Sequence, residues 1–449
     1  MMDNEFNIDQ TYQATLVSLV SPHFQDHTTE SESQRSIKEL KELLRTLGLK
    51  TGSSHIQNKK EIDPATILGS GKLKEIAAIA EAEGSKLLVF DFELTARQIA
   101  NIRSLTGLSV VDRVHVILEI FAKHARTKEA KIQIEIARLQ YMLPRLAGFW
   151  THLNRQRGGV GVLGGEGEKQ IELDRRIIRE KIEFYKEELI NLEKQRVVRK
   201  KRRENQAVTA ALVGYTNAGK SSIMNRLCRV DVLEENKLFA TLDSTYRMLN
   251  PDTKPPMIMI DTVGFISNLP NTLIDGFKTT LESALEADLL IIVCDISDSH
   301  YEKQLEVTNA VLKELNVENK ERIILFNKKD QLDDDLLKKI ILRKYPNSFL
   351  VSSFDPEDMK ALRSHIVEFF LSKQGHYDLF VPYEEGSAHS ILMSKANIVS
   401  THNHEKGIYY RIRVPDFIFG NLGLQKYILA PNDPLLLKET LWDEITPLT

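Results

Sequence analysis

The chain has 449 residues, of which 42% are hydrophobic and 27% charged, with a formal net charge of -3 and two cysteines. This is the composition of a soluble globular protein long enough for three or four domains, and it excludes a disulfide-stapled secreted scaffold. No run approaches the roughly 20 apolar residues of a membrane span, and the polar start MMDNEFNIDQ lacks the regions of a signal peptide, so a cytoplasmic protein is expected.

Residues 12–20, 87–91 and 109–111 read as short buried strands, with amphipathic stretches near 34–47, 72–83 and 94–105 between them. The alternation predicts an N-terminal α/β domain over residues 1–122. Within it, GSGK at 69–72 invites a phosphate-loop reading but lacks the spacing of a nucleotide-binding loop.

Residues 123–204 carry 21 Lys and Arg against 12 Asp and Glu, which leaves the rest of the chain acidic. Such segregation suits either a polyanion partner or a solvated helix of mixed charge. IQIEIARLQYML at 132–143 is one helical stretch. Ile178, Ile182, Tyr185, Leu189 and Leu192 form one stripe of a second, so an antiparallel helical hairpin is expected. Between the two lie Gly158, Gly159, Gly161, Gly164, Gly165 and Gly167, flanked by Arg155, Arg157, Lys169, Arg175 and Arg176. A glycine loop bordered by phosphate-seeking charge suits RNA, and a merely flexible turn seldom requires so many glycines. Phe149 and Trp150 could stack on bases or pack at the hairpin end.

From 207 onward AVTAALV, MIMI, LLIIVC, RIILF and SFLV are continuous apolar runs, as strands buried on both faces should be. They predict a doubly wound sheet over 205–372, which the motifs below make a Ras-like P-loop domain. Residues 375–449 read as a small C-terminal domain, in which His402 and His404 lie in an exposed loop. Cys228 and Cys294 sit in apolar runs as free thiols.

Four motifs fall inside the doubly wound domain. Gly214, Tyr215, Thr216, Asn217, Ala218, Gly219, Lys220 and Ser221 fit G-x-x-x-x-G-K-[ST] directly after a buried strand, so inward N–H groups and Lys220 would hold phosphates and Ser221 would face Mg²⁺. In the polar segment Phe239, Ala240, Thr241, Leu242 and Asp243, Thr241 is the candidate to complete the Mg²⁺ shell. Asp261, Thr262, Val263 and Gly264 follow MIMI, placing Asp261 to hold Mg²⁺ through water and the Gly264 N–H to meet a γ-phosphate. Lys220, Thr241 and Gly264 are therefore the catalytic candidates.

The base is named by Asn327, Lys328, Lys329 and Asp330: the Asp330 carboxylate matches the paired donors of guanine and nothing on adenine. Asn327 would brace the loop and Lys328 lie along the base. Ser352, Ser353 and Phe354 could present the Ser353 N–H to the guanine oxygen. Phe265 stands where many GTPases carry a water-orienting glutamine, so intrinsic hydrolysis should be slow. Asn217 is a candidate for K⁺, or else purely structural.

GYTNAGKS, FATLD, DTVGF and NKKD in this order resemble the Obg–HflX superfamily of translation-associated GTPases. RLQYMLPRLAGFWTHLNRQRGGVGVLGGEGEKQIELDRR at 138–176 narrows the resemblance, which covers roughly residues 60–372, to HflX. It implies a GTPase that engages the large ribosomal subunit and its RNA near the peptidyl transferase centre and splits stalled ribosomes, and a monomer is expected. The loop departs from the family's usual GGIGLRGPGE in being one residue longer and in carrying Leu163 and Glu166. The rival reading is an RNA-bound scaffold or silencing factor in which GTP sets affinity, with an antibiotic-resistance variant among its forms.

Overall fold

The computed structural model describes residues 13–24, 27–146, 165–204, 207–228, 238–239, 244–250, 254–266, 286–317, 320–332, 334–429 and 443–444. Three sheets organise these residues.

The first is parallel, in the order β2-β1-β3-β4, from Gln13–Val20 (β1), Lys50–Asn58 (β2), Ser85–Phe90 (β3) and Ser109–Asp112 (β4). Alternate residues of β1 and β3 face opposite ways, as a pleated strand dictates. Val17, Leu19, Leu88 and Phe90 pack with Leu73, Ile76 and Ala80 of helix Ser70–Ala82 and Ile102 of helix Ala96–Thr106. Ala14, Leu16, Leu87 and Val89 pack with Ile37, Leu40 and Leu44 of helix Glu30–Leu47 (α1) and with helix Arg113–His124. The α1 helix starts at a capping box, Thr29 with Glu32, and stops at Gly48 in left-handed backbone. Gly69 only begins the 70–82 helix, and Lys72 pairs with Glu75 at 2.6 Å.

Helices Lys128–Met142 and Gly165–Glu204 follow, the second of 40 residues and so about 60 Å long. Ile178 and Ile182 bury against Ile132, Ile136 and Leu139, with Tyr185, Leu189 and Leu192 beside them, which is the stripe expected from the sequence. Lys128 reaches Glu188 at 2.5 Å, as antiparallel neighbours require. The glycine-rich stretch is shorter as a loop than expected: Gly165, Glu166 and Gly167 belong to the first helical turns, where unpaired N–H groups tolerate glycine. Residues 147–164, with Phe149 and Trp150, lie outside the described residues.

The second sheet runs β10-β9-β8-β5-β7-β6, from Val208–Gly214 (β5), Thr245–Asn250 (β6), Met257–Asp261 (β7), Leu289–Asp295 (β8), Arg322–Asn327 (β9) and Ser348–Leu350 (β10). All pairs are parallel except β6 with β7, an antiparallel edge not foreseen from the sequence. Val213, Tyr215, Phe239, Val263 and Phe265 share one apolar core with α1 and the 113–124 helix, so the first and second sheets are joined by side-chain packing.

The third sheet is antiparallel, β11-β13-β12-β14, from Gly375–Pro382 (β11), Asn397–His404 (β12), Gly407–Val414 (β13) and Asp443–Glu444 (β14). His402 and His404 belong to its second strand, correcting their expected place in a loop: residues 397–404 pair with 407–414 around a two-residue turn. Among the described residues no helix is long and apolar enough to cross a membrane.

Candidate nucleotide site

The loop Gly214–Ser221 joins β5 to helix Lys220–Leu227. Gly219 has φ 92°, and a Cβ there would fall 2.2 Å from Asn327 Nδ2, so only glycine lets the loop pass beneath that asparagine. Asn217 takes φ 59° and is exposed, while Thr216 and Ala218 are buried. Lys220 turns inward, its Nζ donating to the carbonyls of Gly214 (3.2 Å) and Tyr215 (2.8 Å). Burial lowers its ammonium pKa to about 8, against the opposing pull of Asp261. A buried cation held by carbonyls and one nearby carboxylate is short of negative charge, which phosphate oxygens would supply.

The Ser221 hydroxyl donates to Asp261 Oδ2 at 2.7 Å, bringing together two of the three residues expected to face Mg²⁺. Hydroxyl and carboxylate oxygens are the donors this hard cation takes, usually completed by phosphates and water. No group of three or more His, Cys, Asp or Glu able to hold a metal exists among the described residues. Thr241, with Ala240, Leu242 and Asp243, lies outside them.

Beyond Asp261 the chain folds back on the phosphate loop. Thr262 Oγ1 donates to the Leu212 carbonyl (2.7 Å), the Phe265 N–H to the Gly214 carbonyl (3.0 Å), and the Thr216 N–H to the Phe265 carbonyl (2.7 Å). Gly264 is pressed into the loop: a Cβ on it would lie 2.8 Å from both Lys220 Nζ and Thr216 Cα. Val263 is buried, and the Phe265 side chain, 1% exposed, enters the core beside Tyr215 and Phe239.

On the other flank, Asn327 is fully buried; its Nδ2 donates to the Ala218 carbonyl (2.9 Å) and its Oδ1 accepts from the Ser353 N–H (3.0 Å). One side chain thus ties together three segments singled out in the sequence. It also changes one expectation: the Ser353 N–H, assigned to a guanine oxygen, is engaged by Asn327. Lys328, in left-handed backbone at φ 65°, pairs with Asp295 at 2.6 Å. Lys329 pairs with Asp358 at 2.5 Å, and Asp330 is exposed in the short turn Lys329–Gln331. The Ser352 N–H donates to Asp358 (2.7 Å) and its Oγ accepts from the Phe354 N–H (3.2 Å), while the Phe354 ring is 64% exposed.

Of the residues expected to touch RNA, Arg155, Arg157, Gly158, Gly159 and Gly161 lie outside the described residues, and Lys169 sits early in the 165–204 helix. Arg175 and Arg176 approach Glu172 and Glu180 of the same helix, each at 3.8 Å.

Two links between the nucleotide domain and helices of the N-terminal domain were not visible in any motif. The Tyr215 hydroxyl donates to Glu39 Oε1 (2.6 Å); Glu39 also pairs with the buried Arg113, which bonds Asp91 at 2.9 Å. Phe239 meets Phe121 edge-on, ring centroids 4.6 Å apart. The available signal was Arg113, a charge flanked by Val111, Val114 and Val116.

Three family models match the chain: one described as GTP-binding GTPase N-terminal over residues 34–122, one as GTP-binding GTPase Middle Region over 124–203, and one as 50S ribosome-binding GTPase over 209–328. The chain is 37% identical to the protein called GTPase HflX of Magnetococcus marinus, covering 92% of this chain and 96% of that one. It is 38% identical to GTPase HflX of Alkalihalophilus pseudofirmus, covering 80% and 84%. Among solved structures, it resembles a GTP-binding protein from Sulfolobus solfataricus in complex with GDP, at 27% identity, TM-score 0.42, and coverage of 79% of this chain and 98% of that one.

Proposed function

This chain belongs to the HflX family of GTPases and hydrolyses GTP; from that premise we propose that it works in the cytoplasm on the large ribosomal subunit, and remodels or splits stalled ribosomes. The observation that carries the reading is the match of residues 209–328 to the model described as 50S ribosome-binding GTPase, directly after the basic segment 123–204. The basic segment would grip ribosomal RNA and the glycine stretch would enter the subunit.

In the nucleotide site, Lys220 is assigned to the β- and γ-phosphate oxygens and the Gly264 N–H to the γ-phosphate. Ser221, Thr241 and, through water, Asp261 would hold Mg²⁺, whose charge neutralises the phosphates when bound. Asp330 is assigned to guanine. The exposed Asn217 side chain is assigned to K⁺, tested by hydrolysis in potassium against sodium buffers. Thr241→Ala should spare GDP affinity and weaken the GTP complex; equal loss of both would make Thr241 structural.

The test of the whole reading is multiple-turnover hydrolysis with and without large subunits, paired with sedimentation of intact ribosomes. Strong stimulation together with GTP-dependent splitting supports it. The burial of Phe265 away from the phosphate side favours a second reading, a GTP-regulated ribosome-bound scaffold or silencing factor, whose mark is GTP-dependent binding with unchanged turnover.

A further inference from the structure

We propose that the hydroxyl of Thr216 is a catalytic group of the hydrolysis reaction, standing at the γ-phosphate and supplying the polar contact to the attacking water that Phe265 cannot. The inference rests on the assignment of Lys220 and Gly264 to the γ-phosphate.

The argument begins with convergence. A Cβ built on Gly264 would meet Lys220 Nζ at 2.8 Å, Thr216 Cα at 2.8 Å and Thr216 Cγ2 at 2.9 Å. The P-loop ammonium and the N–H of the D-x-x-G glycine are the two groups that phosphoryl transfer aims at the terminal phosphate. The Thr216 side chain borders the same point with its methyl Cγ2, and a rotation about Cα–Cβ to another staggered rotamer exchanges methyl and hydroxyl there. Its Oγ1 is buried, the residue being 7% exposed, and finds no hydrogen-bond partner among the described residues. A buried hydroxyl left unmatched is costly, and such orphans mark places where a ligand completes the site.

Phe265 leaves that duty open. Its ring is in the core, and its main chain is spent on the loop, the N–H on Gly214 and the carbonyl on the Thr216 N–H. Gly264 and the Lys220 ammonium lie close together, so a γ-phosphate entering between them requires one of the two to move.

A threonine hydroxyl both donates and accepts, so it can donate to a γ-phosphate oxygen while accepting from water, the same two-sided role an amide plays. In the step itself the water oxygen bonds to the γ-phosphorus and the bond from phosphorus to the β–γ bridging oxygen breaks. GDP leaves with that electron pair, and the water's protons end on phosphate and solvent. Thr216 keeps its own proton throughout.

The test compares Thr216→Val, which keeps the shape and removes the hydroxyl, with Thr216→Ser, which keeps the hydroxyl. Single-turnover GTP hydrolysis is measured beside titration with fluorescent GDP. The expected result is a loss on the order of tenfold to a hundredfold in hydrolysis for Thr216→Val, near-parental hydrolysis for Thr216→Ser, and unchanged GDP affinity in both. Parental hydrolysis by Thr216→Val overturns the proposal, as does a matching loss of GDP affinity, which would mean a structural threonine. Lys220→Ala is run in parallel: retained hydrolysis there overturns the underlying site assignment, whereas retained hydrolysis in Thr216→Val alone overturns only this inference.

Discussion

The hydroxyl of Tyr215 in the phosphate loop donates to Glu39 Oε1 at 2.6 Å, across 176 residues of sequence. Glu39 is one of two carboxylates around Arg113, which is 1% exposed and also bonds Asp91. Desolvation of that guanidinium is offset chiefly by Glu39 and Asp91, which hold its pKa above the ordinary arginine value. A change in the loop is therefore felt by a buried ion network in the other sheet.

Tyr215→Phe should cost about 1 kcal/mol of stability, and Glu39→Gln about 1–3 kcal/mol because Arg113 loses a charged partner. Since the two residues touch, their effects should not add: a double-mutant cycle by urea unfolding should give a coupling of about 0.5 kcal/mol or more. Additivity would mean the contact is absent in solution.

Lys220 sets a second expectation. Its folded pKa of about 8 lies below the ordinary lysine value of 10.5, so between these values the unfolded chain binds more protons than the folded one. Stability should rise with pH across that window, and below it the cost of the buried ammonium is fully present. Bound phosphates raise the pKa again, so GDP binding should take up nearly one more proton at about pH 9 than at about pH 7. Calorimetry in buffers of different ionisation enthalpy measures this, and Lys220→Met should abolish the difference. Equal uptake at both pH values in the parent would contradict it.

Guanine selectivity should follow Asp330. Asp330→Asn exchanges a double acceptor for a mixed group, so preference should move from guanine toward xanthine nucleotide, as read by competition titration. Asn327→Ala acts differently, leaving the Ser353 N–H and the Ala218 carbonyl unmatched, at about 1–3 kcal/mol for each buried group. It should weaken all nucleotides alike. Unchanged GTP affinity in Asp330→Asn would sink the base assignment.

These cases show why some parts were legible in the sequence. The phosphate loop is a contiguous chemical requirement next to a contiguous apolar strand, so residues 208–221 could be read locally. Strand β2, KTGSSHIQN, escaped because it is a half-exposed edge strand without apolar alternation. Strand β6 escaped because Tyr246 and Met248 are exposed on an antiparallel edge. The Glu39–Tyr215 and Phe121–Phe239 contacts join residues whose local patterns say only helix and loop. Asn327 was read as a brace, but its capture of the Ser353 N–H depends on how β9 and β10 align, which no motif encodes.

The basic segment gives the prediction that decides the partner. Among the described residues Arg175 and Arg176 make only long contacts to glutamates of their own helix, 3.8 Å each, and Arg176 is 69% exposed, so leaving those contacts costs little. If they grip ribosomal RNA with Arg155 and Arg157, affinity for the large subunit falls steeply with salt, by roughly one power of concentration for each phosphate neutralised. Replacing all four by glutamine should flatten the logarithmic slope by up to about four. Hydrolysis without ribosomes should change little, because none of the four belongs to the loop, the Ser221–Asp261 pair or the NKKD turn, while stimulation by ribosomes should disappear. Deleting part of 158–164 should separate the roles further, retaining salt-dependent docking and losing splitting, since charge supplies affinity and the glycine stretch supplies insertion. A fourfold variant that binds and splits ribosomes normally at physiological salt would move the RNA contact elsewhere in the chain.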